Sequence, residues 1–124
     1  QGYSSAASDV YKRQLIEAAF MAGGIIAGCD ENVTKLLEET GYNIGFAFQI
    51  KDDILDVTST QEVLGKPVLS DERNNKTTYV TLYGMEKAEK DTADMSVKAL
   101  ETLKTIGHNE YLEDLITMLI HRDR

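Results

Sequence analysis

The sequence predicts an all-α domain. Apolar residues recur at i, i+3, i+4 and i+7 through most of the 124 residues, and no stretch alternates apolar with polar as a half-buried strand does. The one proline, Pro67, lies with Gly65 in a single break rather than in a series of turns, and no internal repeat is present.

Each element follows from its own signals. Residues 1–14 are small and polar, with weak periodicity and no apolar core of a signal peptide. The run from Ser5 to Gln14 also resembles translated sequencing-adapter read-through, so 1–14 is expected to be a non-native or disordered leader and 15–124 the folded portion. From Leu15 the pattern turns helical: Leu15, Ile16, Ala19, Phe20, Gly23, Ile26 and Ala27 predict a buried helix over 15–28 whose small residues admit a close neighbour. Asp30 is a good N-cap for a long helix carrying Val33, Leu36, Leu37, Thr40, Ile44 and Phe48 to about Val57. Residues 58–71 read as a loop. A short helix is expected from about Asn75 to Tyr83, stopped by Gly84. Another runs from about Glu86 to Thr105, with Ala88, Met95, Ala99, Leu100 and Leu103 inward and Gly107 as its stop. Asn109 caps a last amphipathic helix, Glu110 to His121.

Composition removes several function classes. Thirteen Lys and Arg dispersed among twenty-one Asp and Glu, for a net charge of −8, give no basic stripe for nucleic acid. No apolar run is long enough to span a bilayer. A lone cysteine, Cys29, offers neither a disulfide framework nor a thiolate metal site, which suits a reducing compartment, and the expected location is cytoplasmic.

The chemistry is concentrated in one segment. Asp52, Asp53 and Asp56 lie within two turns of an apolar stretch that holds Phe48, Ile50, Ile54 and Leu55. Asp52 and Asp56 share a helix face, while Asp53 lies about 100° round. Like charges at that spacing cost a helix about 0.2–0.5 kcal/mol per pair, and desolvation adds to that unless a cation sits between them. The donors are hard oxygens with no His or Cys nearby, which favours Mg²⁺, or Mn²⁺, over zinc and copper. Beyond the acids the chain carries Lys66, Asp71, Arg73 and Lys76. Acids to hold metal, metal to hold phosphate and lysines to neutralise the rest are what a metal-bridged diphosphate needs.

Phe48-Gln49, Asp52-Asp53 and Asp56, followed by Lys66, Ser70-Asp71 and Asn75-Lys76, resemble the second aspartate-rich region of the trans-isoprenyl diphosphate synthases. The likeness extends from about Leu15 to Arg124 through Gly41-Tyr-Asn-Ile-Gly45, Thr77-Thr-Tyr79 and Leu82-Tyr-Gly84, and within the family it is strongest to the bacterial farnesyl and geranylgeranyl diphosphate synthases. It implies the C-terminal part of an isoprenoid-synthase-type helical bundle, and a Mg-dependent prenyltransferase that joins an allylic diphosphate to isopentenyl diphosphate. By the same likeness Asp52 would bind magnesium directly, with Asp53, Asp56 and Asp71 orienting its waters. Lys66 and Lys76 would contact the allylic diphosphate, Gln49 would lie near the reacting carbons, and Phe48 would wall the cavity. Arg122 and Arg124 would help to cover the isopentenyl diphosphate, and the intact enzyme would be a homodimer.

The sequence also departs from the family. The first aspartate-rich motif is absent, and Tyr11-Lys12-Arg13-Gln14 stands where a Lys-Thr pair is expected. The chain by itself is therefore expected to be inactive, with uncovered apolar helix faces. Two other readings are a non-catalytic helical partner subunit of a prenyl synthase and a plain bundle whose acids are solvated.

Overall fold

The computed structural model describes residues 7–64 and 78–123, and every element among them is an α-helix. These are α1 (Ala7–Ile26), α2 (Glu31–Leu64), α3 (Tyr79–Tyr83), α4 (Met85–Ile106) and α5 (Glu110–His121). With 34 residues and a rise of ~1.5 Å each, α2 is ~51 Å long and forms the axis of the bundle. It packs most extensively against α1 and α4 and less against α3 and α5.

The caps form where the sequence puts them. Asp30 Oδ1 accepts from the Val33 N–H at 2.9 Å, and Asn109 Oδ1 accepts from that of Leu112 at 3.0 Å. Thr78 and Thr81 close a reciprocal capping box at the start of α3. Gly84, at φ +87°, ends α3 and opens α4 in a conformation that a side chain would strain.

Glycine sets how closely α1 and α2 approach. A Cβ on Gly41 would stand 2.8 Å from Glu17 Cα, and one on Gly45 3.0 Å from Arg13 Cγ. Of the small residues anticipated for helix crossing in 15–28, Gly24 lies against Leu37, whereas Gly23 has open space around it, and the close approach is made instead by Gly41 and Gly45 of α2. Two clusters make the core. Leu37, Ile44, Ala47, Ala99, Leu103, Ile116 and Ile120 form one, and Ile50, Ile54, Tyr79 and Ala88 the other, with Met95 packed against both. In α4 the buried Thr92 and Ser96 hydroxyls donate to carbonyls one turn back, so neither is left unsatisfied in the core.

The boundaries differ from expectation in three places. Helix α1 begins at Ala7 rather than Leu15, because Arg13 lies against Gly45 and its guanidinium stands over the Tyr42 and Phe46 rings, extending the contact with α2. Leu15, Ala19, Ile26 and Ala27 are exposed rather than inward, since α1 meets only α2 among the described residues. Helix α2 runs on to Leu64 through part of the expected loop, as nothing before Gly65 breaks a helix. The remainder of that loop and residues 75–77 of the expected short helix lie outside the described residues.

Candidate functional site

The α2 segment from Phe48 to Asp56 sorts its side chains by helical angle. Gln49 and Asp53, one turn apart, are buried at 3% and 4% exposure. Asp52 and Asp56, also one turn apart, reach solvent. One face of the helix thus carries two accessible carboxylates, and the third is turned into the protein.

Asp53 has a structural partner there. Its Oδ2 accepts the Tyr79 backbone N–H at 3.1 Å, satisfying an otherwise orphaned donor in the first turn of α3. Tyr79 in turn donates its hydroxyl to the Asp91 carboxylate, which also receives Lys87 Nζ at 2.9 Å. Its ring meets Phe46 edge-on, with centroids 6.1 Å apart. Burial first, and then the Asp91 carboxylate, push the Tyr79 phenol well above its ordinary value. Hydrogen bonds from Tyr79 and then Lys87 hold Asp91 below the usual carboxylate range.

Asp52 is gripped by cations. Arg122 Nη2 donates to Asp52 Oδ1, and Lys12 Nζ stands 3.9 Å from Oδ2. The same Nη2 lies 3.3 Å from the Phe48 carbonyl, and the guanidinium is 4.0 Å from the centre of the Phe48 ring. Phe48 is half-buried. Arg122, expected over isopentenyl diphosphate, is thus placed on the acid itself, and Lys12 reaches the same carboxylate. Neither pairing is a local signal: Arg122 and Asp52 are 70 positions apart. Tyr79 could have been anticipated from the Thr77-Thr-Tyr79 run beside the acids, although its two carboxylate partners could not.

Lys66, Asp71, Arg73 and Lys76 lie outside the described residues, as does Arg124. Among the described residues no three His, Cys, Asp or Glu side chains converge as a metal cage. The residues present nevertheless fit magnesium, which takes one or two protein carboxylates and fills its shell with water and phosphate oxygens. Asp52 and Asp56 supply two hard donors on one accessible face, and Asp52 already takes a cationic partner in Arg122.

An apolar groove of ≈ 560 Å³ opens elsewhere, between the C-terminal half of α1, Leu37, the end of α4 and the start of α5. Leu37 and Asp52 are separated by ~22 Å along α2, so the groove and the acids occupy opposite ends of the bundle. No described helix is long and apolar enough to cross a membrane.

Residues 12–118 match the family model described as polyprenyl synthetase. The chain is 40% identical over 112 residues to the farnesyl diphosphate synthase of Micrococcus luteus, an alignment covering 90% of this chain and 38% of that protein. It is 35% identical over 120 residues to the geranylfarnesyl diphosphate synthase of Aeropyrum pernix, covering 89% and 38%. With the geranylgeranyl diphosphate synthase of Sulfolobus acidocaldarius it shares 41% over 86 residues, covering 69% and 26%. The chain spans well under half the length of these curated relatives.

Proposed function

The chain belongs to the polyprenyl synthetase family, and we propose that it is a C-terminal portion of a Mg²⁺-dependent prenyltransferase that joins an allylic diphosphate to isopentenyl diphosphate. Three steps make up that reaction. The allylic carbon–oxygen bond breaks and pyrophosphate leaves with the electron pair. The isopentenyl alkene then attacks the allylic cation to form a carbon–carbon bond, and loss of a proton restores the double bond. Relatives of similar identity are named for products of different length, so no chain length is assigned.

The observation that carries this reading is the half-buried Asp52 carboxylate on a face shared with Asp56, gripped by Arg122 with Lys12 at its outer edge. Asp52 and Asp56 would hold the ion directly or through its water, and Mn²⁺ could replace Mg²⁺. When bound, the ion supplies positive charge to the departing diphosphate. Asp53 contributes by fixing α3 beside the acids, and Asp71 would join the set as an orienting carboxylate. Lys66 and Lys76 would neutralise the diphosphate as the bond breaks. Each charge-assisted contact of ~1.5–3 kcal/mol is worth about tenfold or more in rate if made only in the transition state. Gln49 and Phe48 would line the dry space in which the cation survives.

Several parts belong to the whole protein: the isopentenyl diphosphate site, the homodimer and the cytoplasmic setting. This chain alone is expected to show no prenyl transfer. Calorimetry with inorganic pyrophosphate tests the site directly. Binding that requires Mg²⁺ and is lost in Asp52→Ala and weakened in Lys66→Ala supports the reading. Pyrophosphate affinity indifferent to Mg²⁺ and to Asp52 contradicts it.

A further inference from the structure

We infer that Arg122 is a latch: it holds the Asp52 carboxylate as a stand-in cation and must give it up for that carboxylate to take a divalent ion. The inference rests on the reading of Asp52 as a metal ligand. Two features separate this contact from an ordinary surface ion pair. The Arg122 and Asp52 side chains are only 20% and 31% exposed, so their attraction is less screened than that of a solvated pair. The guanidinium is also held independently of the acid. Its Nε donates to the Leu119 carbonyl at 3.1 Å, its Nη2 to the Phe48 carbonyl at 3.3 Å, and its plane lies against the Phe48 ring.

Those anchors determine what release does. The guanidinium N–H takes one Oδ1 lone pair, and the fixed positive charge beside the carboxylate's remaining lone pairs opposes a divalent ion there. The two cations therefore compete for one carboxylate. Lys12 adds little to this competition, being 3.9 Å away and 56% exposed. Once Asp52 is taken, Arg122 keeps the Phe48 ring and carbonyl, so the last turn of α5 loosens from α2 without undocking. Ion binding on α2 is thereby coupled to mobility at the end of α5, and a positive charge is left beside the site for an incoming anion.

Magnesium titration calorimetry on the unaltered chain and on R122M, R122K and D52N tests the latch, read beside amide hydrogen exchange of residues 119–121. R122M is expected to bind Mg²⁺ about tenfold more tightly than the unaltered chain, the scale of one charge-assisted hydrogen bond no longer displaced. R122K, which keeps the charge but has neither the Nε that donates to the Leu119 carbonyl nor a planar guanidinium for the Phe48 ring, falls between. Exchange in residues 119–121 of the unaltered chain quickens when Mg²⁺ is added. Equal or weaker Mg²⁺ affinity in R122M, or exchange indifferent to Mg²⁺, overturns the latch. Should R122M fail to fold, R122K and the exchange measurement decide. Affinity that D52N abolishes and R122M leaves unchanged removes the latch alone. No Mg²⁺ affinity in the unaltered chain, with or without pyrophosphate, removes the metal reading as well.

Discussion

Asp52 and Asp53 are adjacent in the chain and have different duties: one faces solvent and cations, the other accepts the first backbone N–H of α3. Asp53→Ala is therefore expected to cost ~1–3 kcal/mol of stability without any metal present, by orphaning a buried donor, and chemical denaturation measures it. Tyr79→Phe removes the hydroxyl that Asp91 accepts, with an expected loss of similar size. The pH dependence follows from Asp91, whose carboxyl is held below its usual range by Tyr79 and Lys87. A lowered folded pKa means that the stabilisation is complete above the unfolded carboxylate value of ~3.9 and is lost as pH falls through the lower folded value. Tyr79→Phe should flatten that acid limb, as melting curves between neutral and acid pH will record; an unchanged limb contradicts the assignment. The acids themselves were legible in the sequence because three carboxylates in an apolar segment conflict with ordinary helix patterning. Which of them turned inward was only half legible, since the 100° offset separates Asp53 from Asp52 without saying which side is covered.

Element boundaries were legible where a local residue decides them. Asp30 and Asn109 cap through their own side chains, Gly84 turns the chain through a positive φ, and α4 closes at Gly107, whose N–H donates to the Leu103 carbonyl, so α2, α4 and α5 begin or end near the expected residues. The start of α1 and the end of α2 were not, because contacts across the α1–α2 crossing and the absence of a breaker before Gly65 settled them. A glycine at that crossing and one away from it give opposite predictions. Gly41→Ala should destabilise by ~1–3 kcal/mol, because its Cβ would meet Glu17 backbone 2.8 Å away. Gly23, in α1, faces open space, and a Cβ there meets nothing within 4 Å, so Gly23→Ala should stabilise by ~0.5–1 kcal/mol. Thermal melts of the two variants check both signs, and a neutral Gly41→Ala would mean that the helices are not this close.

At the scale of the whole molecule, a family member of this length carries apolar surface that its own helices do not cover. Leu15, Ile25, Ile26, Tyr111 and Met118 are each more than 60% exposed, and an apolar groove opens between α1 and α5. Light scattering is expected to report self-association that weakens on dilution, and a monodisperse monomer at high concentration contradicts that expectation. The bundle's class and its acid-bearing helix could be read from periodicity and spacing, whereas the closure of α5 onto α2 through Arg122 could not, because it joins residues 70 positions apart. The central claim is that the Asp52–Asp56 face takes a divalent ion together with diphosphate. Mn²⁺ line broadening in amide-resolved NMR, with pyrophosphate present, tests it most directly. Selective broadening of residues 51–57 that vanishes in Asp52→Asn is the predicted result; broadening spread evenly over the acidic surface, or unchanged in that variant, contradicts it.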